Sequence, residues 1–151
     1  MRHHKVVLFR GPQGSGKSTA AESFCAREKE LVHLEADDYY LDERGVYHFR
    51  EEDHALAHLS CKKEAKSWIS LGYVPVISNT FSLKREINDY LTHLAVTPEE
   101  TLVITCHRGW SAERYAERSI HSVPVRVIAE LLARWEPWDG EQVIVGFSTL
   151  R

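Results

Sequence analysis

A glycine-rich run at residues 11–18, Gly-Pro-Gln-Gly-Ser-Gly-Lys-Ser, has the residue types and spacing that hold phosphate groups. It fits the pattern G-x-x-x-x-G-K-[ST], with an apolar run before it and a helix-forming stretch after it. Glycines let successive N–H groups face a phosphate, and the N-terminus of the following helix adds positive potential. The predicted ATP-binding residues of this loop are Gly11, Gln13, Gly14, Ser15, Gly16, Lys17, Ser18 and Thr19. Within this set, Lys17 should reach the β- and γ-phosphates, and Ser18 should bind Mg²⁺ directly.

Two adjacent carboxylates, Asp37 and Asp38, directly follow a second apolar run at 31–36. If that run is a parallel strand, both carboxylates lie at the same sheet edge as the glycine-rich loop. Asp37 could take the proton of an acceptor hydroxyl and orient its oxygen, or hold Mg²⁺ through a water molecule. A solvated turn in which Asp37 caps a helix is the remaining interpretation.

A third candidate site lies in the arginine-rich stretch 107–118. Arg114 and Arg118 are four residues apart and would share one face of a helix. Two guanidinium groups there could close over a triphosphate and stabilise the charge of a transition state. The same pattern is also typical of a solvated helix with Glu–Arg pairs, so both interpretations stay open.

These residues depend on an alternation of predicted strands and helices. Apolar runs predict strands at 6–9, 31–36, 74–78, 102–104 and 142–147. Helical spacing predicts helices at 16–28, 54–70, 83–94, 111–118 and 125–135, with Pro124 at a first helical position and a loop at 39–53. This order predicts a single α/β domain over residues 1–151, with three layers and a mostly parallel sheet. Ligands of such sheets bind at the carboxyl ends of the strands.

Composition limits the classes of partner. The net charge is −3, whereas proteins that grip long duplexes without sequence preference usually carry a basic excess. A nucleic-acid substrate is therefore expected only through local contact, such as a strand end in a positive pocket, and a small-molecule acceptor fits equally well. No apolar run reaches the ~20 residues of a membrane span. Three widely spaced cysteines favour reduced thiols and a cytoplasmic location. No obligate protein partner is indicated.

In order and spacing, the chain resembles the P-loop polynucleotide 5′-hydroxyl kinases. These include the kinase module of bacteriophage RNA-repair enzymes and the Nedd4-binding-protein-2-like branch. The matching segments are residues 11–19, then Ala-Asp-Asp-Tyr at 36–39, Ile-Ser-Asn-Thr at 77–80 and Ala-Glu-Arg-Ser-Ile-His-Ser-Val-Pro at 116–124. The first segment is common to many nucleotide-binding proteins. The second and fourth are much more specific to this family, and the match extends over nearly the whole chain.

The resemblance implies a P-loop kinase fold with a helical lid at about 108–124. It gives Asp37 the position of the general base and Arg118 that of the lid arginine on the phosphoryl groups. It also implies that Asn79 and Thr80 line the acceptor pocket. Where phage-type enzymes carry an arginine that holds a phosphate of the acceptor, this chain has Tyr40. Tyr40 and Phe81 could stack on an acceptor base, or they could pack as loop aromatics.

The predicted activity is transfer of the ATP γ-phosphate to the 5′-hydroxyl of RNA or DNA, with ATP and Mg²⁺ as cofactors. The residues expected to do the chemistry are Lys17, Ser18, Asp37 and Arg118, with Arg114 as a second ATP-binding arginine. Two alternatives remain: a kinase that acts on a small-molecule hydroxyl, and a non-catalytic ATP-binding module.

Overall fold

A five-stranded parallel sheet carries the candidate residues in the computed structural model, which describes residues 4–145. The strands are β1 (Val6–Arg10), β2 (Leu31–Leu34), β3 (Val74–Ser78), β4 (Thr101–Cys106) and β5 (Gln142–Ile144). Their order across the sheet is β2-β3-β1-β4-β5. The last predicted strand is observed as far as residue 144, and its expected end at 146–147 lies outside the described residues.

The sheet is covered on both faces because β1 is apolar on both. Val6 and Leu8 face one core cluster, and Val7 and Phe9 face the other, as the period of two residues in a strand requires. All five β1 residues are buried. This central strand thus ends in the middle of the carboxyl edge of the sheet, where the glycine-rich loop begins.

The helices follow the predicted order with shifted ends. They are α1 (Lys17–Cys25), α2 (His54–Ser70), α3 (Lys84–Leu94), α4 (Ala112–Arg118) and α5 (Val125–Ala133). The prediction that Pro124 is the first helical residue is wrong, because its extended ψ of 142° makes it the cap that precedes α5. In residues 4–145, no helix combines the length and the apolar character that crossing a bilayer requires.

The stretch predicted as a loop at 39–53 is more ordered than expected. Residues Ala36–Tyr40 form a 3₁₀ helix, and a second one follows at Glu51–Asp53. Between them, Leu41 pairs with Tyr47 in an isolated antiparallel bridge. We call residues 36–49 the acceptor segment. Its backbone pairing places Tyr47 at a defined position, which sequence patterning gave no reason to expect.

An arginine at the end of β1 holds several loops together. Arg10 is fully buried, and its guanidinium donates to the carbonyl oxygens of Phe81 and Glu136 at 2.6–2.9 Å. It also pairs with Glu141 at 3.3 Å and lies over the Trp135 ring at 4.2 Å. A buried charge persists only when it is paired and hydrogen-bonded, as here. Arg10 therefore acts as a structural anchor beneath the carboxyl edge.

A partly buried histidine predicts how stability depends on pH. Burial lowers the pKa of His58 from 6.5 to about 4, and nearby His54 acts in the same direction. The unfolded chain then binds more protons between pH 6.5 and 4, so the free energy of unfolding should fall as the pH drops through this window. We expect His58 to contribute about 2 kcal/mol of this loss.

Urea unfolding at pH 7, 5.5 and 4 tests this expectation when wild type is compared with His58→Gln. The variant removes the titrating ring, and with it a contact of His58 Nδ1 to the Tyr90 hydroxyl at 2.7 Å. The variant should lose less stability than wild type as the pH falls, whatever its stability at pH 7. Equal losses in the two proteins would contradict the assignment.

Candidate active site

The glycine-rich loop joins β1 to α1 at the carboxyl edge of the sheet. Gly11 N–H donates to the carbonyl oxygen of Thr80 at 3.2 Å, so the base of the loop is fastened to the residues after β3. Gly14 has φ +81°, and a methyl group in place of its hydrogen would collide with the Tyr115 carbonyl of the lid and lie 3.2 Å from Ser119 N. Only glycine allows the loop and the lid backbone to approach so closely.

The loop has the features of an anion cradle. The buried side-chain oxygens of Gln13 and Ser15 make no hydrogen bond within residues 4–145, and such polar atoms are costly unless a ligand serves them. Burial lowers the pKa of Lys17, while the carboxylates of Glu35 and Asp37 act in the opposite direction. Ser18 follows Lys17 in the first turn of α1. These residues fit a nucleotide phosphate, and the Ser18 hydroxyl could hold a Mg²⁺ ion bound there.

Asp37 and Asp38 lie on the 3₁₀ helix rather than at the end of a strand, because β2 ends at Leu34. The alternation of side chains along a strand therefore does not apply to these two carboxylates. The carboxylate of Asp38 instead accepts a hydrogen bond from Glu35 N–H at 3.3 Å, and burial raises its pKa. Asp37 lies close enough to Lys17 to affect its pKa. The structure thus separates the two aspartates by their contacts.

Two residues expected in the acceptor pocket, Asn79 and Tyr40, instead make structural contacts. Asn79 accepts from Ala36 N–H at 2.9 Å and donates to the Tyr90 hydroxyl at 3.1 Å, so it holds the start of the 3₁₀ helix. Tyr40 and Phe81 are 6% and 1% exposed and belong to the core. Packing, not base stacking, is the interpretation that the structure supports for these rings. Asn79 and Tyr40 therefore help to fix the 3₁₀ helix that carries Asp37.

The lid, residues 108–124, lies directly against the glycine-rich loop. Helix α4 begins with Ser111 as its cap and places Arg114 and Arg118 on its exposed side. Both guanidinium groups lie over the Trp110 ring, at 4.2 Å and 5.7 Å from its centroid. Arg118 is the residue before Ser119, whose backbone nitrogen approaches Gly14. The C-terminal end of α4, which carries Arg118, therefore packs against the glycine-rich loop.

This geometry predicts unequal roles for the two arginines. We expect Arg118→Ala to lower kcat for phosphoryl transfer by at least ~10², because arginines on transferring phosphoryl groups are worth about 10³ or more in rate. Arg114→Ala should cost less, since Arg114 lies a turn earlier in α4. Steady-state kinetics of both variants test this, with the exposed Arg126→Ala of α5 as a control. Small and equal effects at the two positions would make α4 an ordinary solvated helix.

Sequence reasoning missed two residues of this site. Glu35 lies near Lys17, and its carboxylate acts against the lowering of the Lys17 pKa; the Glu35 Oε1 is 3.3 Å from His33 Nε2. The signal was its place at the end of an apolar strand. Arg108 Nε donates to the carbonyl oxygen of Ser15 at 3.3 Å and so fastens the lid to the loop. No local pattern distinguishes Arg108 from the other lid arginines.

Strand order, cradle and lid together define a P-loop kinase-like fold, a class built to bind a nucleotide. The chain belongs to the AAA domain family, which matches residues 6–138.

Solved structures of kinases share this fold. A gluconokinase from Sinorhizobium meliloti 1021 is 15% identical with a TM-score of 0.67, over 99% of this chain and 89% of that one. A sugar kinase from Janibacter sp. HTCC2649 is 23% identical with a TM-score of 0.68, over 97% and 90%. A chain of the Pnkp1/Rnl/Hen1 RNA repair complex is 17% identical with a TM-score of 0.69, over 89% of this chain and 44% of that one. At these identities the likeness establishes the fold and leaves the acceptor undetermined.

Proposed function

We propose that this protein transfers the γ-phosphoryl group of ATP to the 5′-hydroxyl of RNA or DNA. One observation carries the choice of acceptor. The two motifs that most specifically resemble polynucleotide 5′-hydroxyl kinases, at 36–39 and 116–124, are far apart in the chain, yet His121 Nε2 lies 3.8 Å from Asp37 Oδ2. Family-specific residues thus meet at one place, beside the residues of the phosphate cradle.

The roles follow from position. Lys17 and the N–H groups of the loop hold the β- and γ-phosphates, and Arg118 stabilises the charge of the transferring group. Ser18 would hold Mg²⁺ directly and Asp37 would hold it through water; the ion would neutralise charge on the β- and γ-oxygens. In the reaction, the acceptor oxygen bonds to the γ-phosphorus as the bond to the β–γ bridging oxygen breaks. ADP leaves, and the hydroxyl proton passes to Asp37.

The small net charge of −3 agrees with local contact at a strand end. Transfer to a small-molecule hydroxyl remains the second candidate, because the gluconokinase and the sugar kinase have the same fold. Their likeness at 15% and 23% identity favours neither acceptor over the other.

A labelled transfer assay distinguishes the candidates. Purified protein, Mg²⁺ and ATP labelled at the γ-phosphate are incubated with 5′-hydroxyl oligoribonucleotides, 5′-hydroxyl oligodeoxyribonucleotides, nucleosides, gluconate and hexoses. The proposal expects labelled oligonucleotides, and none when the 5′ end is already phosphorylated. Label only on a nucleoside or sugar would replace the proposal with a small-molecule kinase. ATP binding without transfer to any acceptor would indicate a binding module.

A further inference from the structure

The lid touches the acceptor segment through two stacked rings. The His121 imidazole lies on the Tyr47 ring with 3.8 Å between centroids and 12° between planes. Tyr47 is held by the bridge to Leu41, and His121 follows the end of α4. The two rings therefore join two parts of the chain that no strand or helix connects.

Both rings also reach Asp37. His121 Nε2 is 3.8 Å from Asp37 Oδ2, with the two side chains 32% and 48% exposed. Burial, together with the charge of the same carboxylate, raises the pKa of Tyr47. Tyr47 therefore stays protonated at neutral pH, with its hydroxyl near Asp37. The carboxylate has Tyr47 and His121 beside it while part of it remains open to solvent.

We propose that Tyr47 and His121 are positioning residues that couple closure of the lid to the orientation of Asp37. The inference rests on the proposed role of Asp37 as the base. The lid has two sets of contacts: one with the glycine-rich loop, at Gly14 and through Arg108, and one with Tyr47 and Asp37, through His121. Opening the lid would break both sets of contacts. Closing the lid over the nucleotide therefore also orients the Asp37 carboxylate. Such coupling commits the enzyme to transfer only when both sides are assembled.

The backbone next to His121 supports this interpretation. Ser122 has φ +53°, a left-handed conformation that a serine adopts at a cost. That conformation turns the chain back immediately after the imidazole and leads it into α5 through Val123 and Pro124. A strained residue persists when its surroundings hold it in place, and the ring contact is one such constraint.

A double-mutant cycle tests the coupling. Tyr47→Leu and His121→Leu each remove the stack, and each should lower kcat ~10-fold with little change in the KM for ATP. Because both remove the same contact, the double variant should also lose only ~10-fold rather than ~100-fold. His121→Phe keeps a stacking ring and should recover part of the rate. A purely structural role would instead lower stability without this pattern in kcat.

Controls come from the same chain. His48→Leu changes the histidine of the acceptor segment itself, which pairs with exposed Asp42 at 2.8 Å, and it should leave kcat within ~2-fold. Tyr73→Leu changes an aromatic residue that directly precedes β3, at the amino ends of the strands and away from the candidate site. Additive losses in the double variant, or losses no larger than those of the controls, would overturn the coupling.

A spectroscopic measurement separates failure of this inference from failure of the proposed acceptor. The Tyr47 ring should shift the NMR signals of the His121 ring protons upfield, and Tyr47→Leu should remove that shift while Tyr73→Leu leaves it. If oligonucleotides accept no phosphate but the ring shift is present, the acceptor proposal fails and the cycle is repeated with the acceptor that is active. If the shift is absent from wild type, the coupling contact is refuted whatever the acceptor.

Discussion

Replacing Lys17 with alanine should lower kcat for phosphoryl transfer by at least ~10³ while the fold is retained. Under the proposed function the ammonium group contacts the β- and γ-phosphates, and no other residue of the glycine-rich loop carries positive charge. Burial lowers the pKa of Lys17, so removing the side chain also removes a desolvated charge and should not destabilise the protein strongly.

The measurements are kcat with the best acceptor and the thermal midpoint of unfolding. Lys5→Ala is a matched control, because Lys5 pairs with Glu100 on the amino side of β1, away from the cradle. A Lys17→Ala protein with kcat within tenfold of wild type would reject the assigned role.

The second large effect concerns the two aspartates. Asp37→Asn should retain ATP binding and lose ~10²- to 10⁴-fold in transfer, because the amide is nearly isosteric but cannot accept the hydroxyl proton. Asp38→Asn should cost far less, since the Asp38 carboxylate is engaged with Glu35 N–H in its own 3₁₀ helix. ATP affinity and transfer rate, measured for both variants on one acceptor, separate binding from chemistry.

The asymmetry is the decisive part of this prediction. An essential Asp38 with a dispensable Asp37 would move the base by one residue and would also break the link with Tyr47 and His121. If both variants bind ATP and transfer phosphate at the wild-type rate, neither carboxylate is the base. The nearby Glu35 would then be the next residue to test.

The two predictions concern Lys17 and Asp37, which the fold brings close enough together for the carboxylate to affect the pKa of the lysine. The fold likeness extends to a sugar kinase and to a chain of an RNA repair complex, so the fold alone leaves the acceptor undetermined. Under the proposed function, residues around Asp37 would select the acceptor. The Tyr47 and His121 pair is the first place to look for that selection, because it borders Asp37 from both the acceptor segment and the lid.

The amino-acid sequence alone determined the strand, glycine-rich loop and helix that form the phosphate cradle, and the α/β fold around it. Those features are local, because each depends on residues that are close in the chain. They are the spacing of the glycines, the apolar strand β1 and the N-terminus of α1. The helix order was predictable for the same reason. Errors in the α-helices lay at their ends, such as Pro124 at α5, where one or two residues of backbone conformation decide the boundary. The 3₁₀ helices at Ala36–Tyr40 and Glu51–Asp53 were not predicted.

Only the tertiary structure decided what surrounds Asp37. Tyr40 and Asn79 were predicted from the sequence as acceptor residues. In the structure, Tyr40 packs in the core and Asn79 anchors the 3₁₀ helix. Tyr47 carried no signal, because its role comes from a lid residue that only folding brings against it. Side-chain partners at such sequence separations are set by how helices and loops pack on the sheet, and no local pattern encodes that packing.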